Sequence, residues 1–160
     1  LICGGEACIA EYDRILAEAD AVLSAGELPR VVILGLHSSL TGNLVDMDAI
    51  EDKVGLPRGE GASQVSARLG KLGRLVMDRI GVSRLAGVYL TGGDVMINTV
   101  RAMDAEGIAL EGYVIPQSDQ GLLVGGPFNG LPVVGKGGLT GGPHTALHIV
   151  NRIFDERKIA

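Results

Sequence analysis

Val133-Val134-Gly135-Lys136-Gly137-Gly138-Leu139-Thr140-Gly141-Gly142 reads as a short buried strand, a glycine loop carrying one lysine, and the approach to a helix. Exposed backbone N–H groups at a helix start, with a cation beside them, make a site for anions, phosphate first among them. A second loop of related design, Thr91-Gly92-Gly93-Asp94, follows the apolar strand Gly87-Val88-Tyr89-Leu90. Two such loops in one small chain point to nucleotide or phosphate binding.

Outward from these loops the periodicities alternate. Tyr12, Ile15, Ala19, Val22 and Leu23 share one helical face, with Gly26 placed as a C-terminal cap. Arg30–Leu36 reads as an apolar strand that empties into a polar loop, His37–Asn43, and Leu44–Gly61 as irregular chain with one helical turn near Met47–Lys53. Val65, Leu69, Leu72, Val76 and Ile80 mark a long amphipathic helix closed by Gly81. Met96, Ile97, Val100 and Met103 mark another, followed by a strand over Leu110–Ile115. Leu131–Val134 is the last strand, and Ala146, Leu147, Val150, Ile153 and Phe154 are the buried face of the last helix. Between Gly112 and Gly142 lie ten of the 25 glycines and only two formal charges, Asp119 and Lys136, with turns at Pro116-Gln117-Ser118-Asp119 and Gly125-Gly126-Pro127. Glycine is costly to order and makes sense where backbone must approach something closely. The expected fold is one α/β domain over residues 1–160, a three-layer, largely parallel sheet flanked by helices, with a glycine-rich irregular segment near the C-terminus. Sites in such sheets lie past the carboxyl ends of the strands, where both glycine loops and His37–Asn43 are expected.

The composition narrows the function classes. The 160 residues are rich in Val, Ile, Leu, Ala and Gly, as in buried parallel sheets. A formal net charge of −5, with no basic stripe, argues against nucleic acid as partner. Cys3 and Cys8 are too few for a disulfide framework and too widely spaced for a redox CxxC, which fits a reducing cytoplasm. No apolar run approaches membrane-spanning length, and no basic segment precedes an apolar one at the start. The chain begins at Leu1, which raises the expectation that it was cut from a longer protein.

The loops fit neither common nucleotide pattern. A Walker A loop places its lysine after the glycines, and a GxGxxG count from Gly135 and Gly137 meets Thr140 at the third glycine. Tight turns and close helix–sheet packing are the bland alternative. Asp94 suits two roles, N-cap of the following helix or a ligand, through water, of a nucleotide-bound Mg²⁺. His144 and His148 stand at helical spacing but lack a third ligand, so a solvent-facing pair is favoured. Ser38 and Ser39 lack a GxSxG elbow. Asp46, Asp48, Glu51 and Asp52 read as a solvated helix face.

From Leu90-Thr91-Gly92-Gly93-Asp94 to Leu131-Pro132-Val133-Val134-Gly135-Lys136-Gly137-Gly138-Leu139-Thr140-Gly141, the chain resembles the C-terminal nucleotide-binding domain of the four-carbon acid sugar kinases. Ile115-Pro116 and Gly125-Gly126 match that family's Pro-containing turn and second Gly-Gly, and the match covers roughly Arg84–His148. The resemblance implies an ATP-dependent kinase for threonate- or erythronate-type acids, with ATP and Mg²⁺ as cofactors. Gly92, Gly93, Asp94 and Val95 would line the nucleotide site, and Gly137, Gly138 and Gly141 would approach the phosphates. Lys136 would be a phosphate contact or a structural tether.

Val95 stands where the family usually has Thr, and Thr140 where an aromatic often precedes the last glycine. The sugar-acid-binding N-terminal domain and a first strand with a nucleotide-contacting serine are expected to lie outside the chain. The isolated chain would then be inactive, with no catalytic base assigned. The alternative is a non-catalytic phosphometabolite-binding or assembly domain of the same fold, with which a homo-oligomer is compatible.

Overall fold

The computed structural model describes residues 1–159 except Cys3, Glu27 and Leu139, and only the backbone of Ser39, Leu40 and residues 157–159. The Cys3–Cys8 spacing therefore falls partly outside the described residues; Cys8 is a free thiol. The chain divides into two compact units, Leu1–Arg68 and Leu69–Ala160.

The first unit is helical, with α1 at Gly5–Leu23, α2 at His37–Thr41, α3 at Met47–Val54 and the first turns of α4, Glu60–Ile80. Tyr12 Oη donates to the Arg68 carbonyl at 2.7 Å, and the Arg68 guanidinium donates to the carbonyls of Leu1 and Ile2. Asp46 caps α3 by accepting the Ala49 N–H at 3.0 Å. Asp48 and Asp52 pair at the surface with Arg58. Glu51 departs from the expected solvated face. It is 1% exposed, and its carboxylate accepts from Gly59 N–H at 2.9 Å and Gly61 N–H at 2.8 Å. A carboxylate from α3 thus satisfies donors that the start of α4 leaves open. A Cβ on Gly61 would lie 2.9 Å from Glu51 Oε1, so the carboxylate would have to shift to admit a side chain there.

Arg30–Leu36 does not form the expected strand. Val31–Leu36 has no regular secondary structure, and Ile33 is 79% exposed. An apolar run specifies a preference for burial, but a strand also needs a ladder partner, and among the described residues it has none. His37–Thr41, read as loop, is the short helix α2, closed by Gly42 in the left-handed region.

The second unit holds a four-stranded sheet of β1 (Val88–Thr91), β2 (Gly107–Ile115), β3 (Ser118–Val124) and β4 (Pro132–Lys136), in the order β1-β4-β3-β2. Only β1 and β4 are parallel; β3 runs antiparallel to both neighbours. The sheet is therefore mixed, not largely parallel. The cause is β3, which the sequence hides behind Ser118-Asp119-Gln120-Gly121, residues of low strand propensity. The Pro116-Gln117 turn reverses the chain so that Ile115 pairs with Ser118. The segment expected to be irregular is thus largely strand. Its glycines allow close approach, since a Cβ on Gly121 would lie 2.3 Å from the Ala109 carbonyl oxygen in β2.

One face of the sheet packs Leu90, Val133 and Leu123 with Met77 of α4 and with Val100 and Met103 at the end of α5 (Gly93–Ala102). The other packs Val134 against Ile149 and Ile153 of α6 (Thr145–Ile159), so this unit has the expected helix–sheet–helix layering. Gly70 lets α4 meet α5 backbone to backbone, because a Cβ there would be 2.7 Å from the Asn98 carbonyl carbon. Arg74 binds Asp78, the Ala102 carbonyl and Asp104 while lying 5.0 Å from the Phe128 ring centroid. No described helix is long and apolar enough to cross a membrane.

Glu51→Ala leaves two N–H groups at the start of α4 without their acceptor and is expected to cost about 2–3 kcal/mol in chemical denaturation. Asp48→Ala, at an exposed ion pair, is expected to cost under about 1 kcal/mol. Equal effects would remove the capping role of Glu51.

Candidate functional site

Parallel pairing brings the two glycine loops together. The register ends with Thr91 opposite Lys136, and Gly92 N–H donates to the Lys136 carbonyl at 3.0 Å. Both chains therefore leave the sheet side by side at one edge, as expected for the two loops. A Cβ on Gly138 would lie 3.9 Å from Gly92 Cα, which is ordinary contact. Gly92 has φ +93°, a conformation that favours glycine, and it turns β1 directly into α5. Gly135 makes room for that helix, since a Cβ there would lie 2.4 Å from Met96 Sδ.

Gly92, not Asp94, occupies the N-cap of α5, and no side chain caps the helix. Met96 N–H makes the first helical bond, to the Gly92 carbonyl at 2.9 Å. Among the described residues the N–H groups of Gly93, Asp94 and Val95 have no acceptor. They are the orphan donors of a helix start, at the positive end of its dipole. Asp94 sits in this first turn with its carboxylate exposed. Gly93 is open, since a Cβ there would meet nothing within 4 Å.

Lys136 turns back onto its own loop. Its ammonium donates to the carbonyls of Gly137, Gly138 and Thr140, the last at 2.8 Å. An ammonium has three N–H donors, and all three close the loop. Gly137 and Gly138 are exposed. Thr140 Oγ1 donates to the Gly137 carbonyl at 2.9 Å, and Gly142 N–H donates to Thr145 Oγ1 at 2.8 Å. Gly141 has φ +94°, and a Cβ there would lie 2.5 Å from Thr145 Oγ1.

The β2–β3 turn also reaches this edge. Gly137 N–H donates to the Gln117 carbonyl at 3.3 Å, and Ser118 lies opposite Lys136 in the register. Sequence reasoning missed this wall because it did not recognise β3; the Ile-Pro-Gln turn was its only signal. His144 and His148 are both exposed. Ser38 belongs to α2 in the other unit, and the Ser39 side chain lies outside the described residues.

The family described as "Nucleotide-binding C-terminal domain" matches residues 1–146, and the chain belongs to it. A D-erythronate kinase of Heliobacterium modesticaldum is 29% identical over 123 residues, covering 76% of this chain and 28% of its own. A D-threonate kinase of Salmonella typhimurium is 29% identical over 111 residues, covering 68% and 26%. A D-threonate kinase of Bordetella bronchiseptica is 38% identical over 100 residues, covering 62% and 24%. The chain thus spans about a quarter of the length of the curated relatives it matches. A crystal structure of a domain of unknown function from Bordetella bronchiseptica, a domain-swapped dimer with bound citrate, is similar at a TM-score of 0.60 and 26% identity. It covers 89% of this chain and 31% of that one. The resemblance carried by the loops therefore holds, and the family match extends well before Arg84.

Gly141→Ala forces a side chain into a positive-φ position against Thr145 and is expected to destabilise the fold by about 1–2 kcal/mol. Gly142→Ala, with open space around it, is expected to change stability by less than about 0.5 kcal/mol. Urea denaturation of the two variants checks the pair, and an equal loss would deny the loop its fixed geometry.

Proposed function

We propose that this chain, as a member of the nucleotide-binding C-terminal domain family, is the ATP-binding portion of a kinase for four-carbon sugar acids of the threonate or erythronate type. The observation that carries the proposal is the row of unpaired N–H groups at Gly93, Asp94 and Val95, held against the Lys136 loop by the β1–β4 register. The names of the relatives support the substrate class.

In this account Gly92 shapes the turn, and the N–H groups of Gly93, Asp94 and Val95 hold phosphate oxygens. Gly137 and Gly138 present bare backbone on the facing side, and Gly141 fixes the end of that loop. Lys136 acts by its charge and by holding the loop closed. Asp94 would hold Mg²⁺ through water, as carboxylates in nucleotide sites commonly do. Phosphoryl transfer depends mainly on positioning and charge stabilisation, which such a cradle provides. The acceptor and its base come from a separate N-terminal domain, so the chain alone binds nucleotide without transferring phosphate. The whole enzyme would act in cytoplasmic carbohydrate metabolism, and self-association like that of the Bordetella relative belongs to the same proposal.

A second reading, a non-catalytic sensor of phosphorylated metabolites, draws on Val95, which offers no hydroxyl to the site. It predicts that sugar phosphates, and not ADP, raise the melting temperature.

Gly93→Val is the direct test. The position has open space and an ordinary φ, so the variant is expected to fold, while its side chain covers the α5 donors. Calorimetric titration with Mg–ADP should show at least about a tenfold loss of affinity, or about 1.4 kcal/mol. Unchanged affinity in a folded variant would remove this loop from the site.

A further inference from the structure

Among the described residues outside glycine, positive φ occurs at Asp104 and Gln117. Asp104 follows the end of α5, and Arg74 holds its carboxylate at 3.1 Å. Aspartate is also among the side chains that visit this conformation most readily. Gln117 has neither excuse. It follows Pro116 in a two-residue turn with φ +66°, the type II position that favours glycine or asparagine. Its side chain is exposed, and its carboxamide makes no hydrogen bond among the described residues. The backbone strain is therefore not offset by any contact of that side chain within the fold, and such strain tends to persist where function needs it.

The turn stands at the edge that carries the glycine loops. The Gln117 backbone carbonyl accepts the Gly137 N–H, and the next residue, Ser118, lies opposite Lys136. Ser118 is fully buried, and its Oγ has no partner among the described residues, so a buried polar atom beside the turn is left unsatisfied. The candidate phosphate cradle lies at the ends of β1 and β4, and the turn lies one strand further on, about 4.8 Å in sheet spacing. A molecule anchored by its phosphates in the cradle meets the turn with a different part of itself. A carboxamide is neutral and both donates and accepts. It suits ribose hydroxyls or a base edge, where a phosphate would call for a cation.

We propose that Gln117 is a specificity residue of the nucleotide site, its carboxamide contacting the nucleoside part of the ligand. The inference rests on the nucleotide reading above. Gln117→Gly separates its outcomes, because glycine relieves the strain and removes only the carboxamide arm. The chain and its variants are titrated calorimetrically with Mg–ADP and with Mg–pyrophosphate, which lacks the nucleoside. Gln117→Gly should melt no lower than the unmodified chain and bind ADP about tenfold more weakly, the loss of one or two neutral hydrogen bonds. Its pyrophosphate affinity should be unchanged, whereas Gly93→Val should lose both ligands. Unchanged ADP binding by Gln117→Gly, with Gly93→Val impaired, overturns the role of Gln117 and leaves the nucleotide reading standing. Equal losses of ADP and pyrophosphate also overturn it, since the turn would then act only through the shape of the loop. Failure of the unmodified chain to bind either ligand, or unaltered binding by Gly93→Val, overturns the nucleotide reading and this inference with it.

Discussion

The site depends on the parallel pairing of β1 with β4. That ladder ends with Thr91 opposite Lys136 and is extended by the hydrogen bond from Gly92 N–H to the Lys136 carbonyl. The register makes two segments far apart in sequence leave the sheet together. It also sets the start of α5 beside the second loop, because Gly92 turns the chain into the helix without an intervening residue. A slip of one strand by one residue would turn its side chains to the opposite face, parting Leu90 from the cluster it shares with Val133, so core packing and loop placement are one constraint.

Within that frame, glycine is required by contact as much as by turn geometry. Gly135 lets Met96 approach the sheet, and Gly141 makes room for Thr145. Lys136 then closes its own loop through three carbonyls. The described residues of the loop are thus tied by protein groups, which would lower the ordering cost of a ligand held there. The donors at the start of α5 remain unspent by the same design, since no side chain caps the helix.

Much of this was legible in the sequence, and the failures have physical causes. Helical stripes in α4 and α5 and the apolar runs of β1 and β4 report burial directly, so these elements lie close to where periodicity places them. The faces are approximate: Ile97 in α5 and Ala146 and Leu147 in α6 are expected inside and are exposed, while Ile149 is fully buried. Strand β3 was invisible because its first four residues carry no apolar pattern; its pairing is imposed by a two-residue turn and two neighbouring strands. Val31–Leu36 is the converse, a strand pattern without a ladder partner among the described residues. Glu51 looked like one more surface carboxylate because its acceptor role depends on two backbone N–H groups eight and ten residues away. In the site, the two loops and their adjacency were readable. Asp94's displacement from the N-cap, Lys136's three carbonyl partners and the contribution of the β2–β3 turn follow from three-dimensional closure and leave little trace in spacing.

The family match places the chain among nucleotide-binding C-terminal domains, and the geometry supplies a specific cradle to examine. Titration of the ¹⁵N-labelled chain with Mg–ADP, following backbone amide shifts by NMR, tests that cradle most directly. The account predicts that the amides of Gly93, Asp94 and Val95 shift most, with Gly137 and Gly138 moving alongside them. Saturable ADP binding with those five amides unmoved, and the shifts gathered elsewhere in the chain, would contradict it.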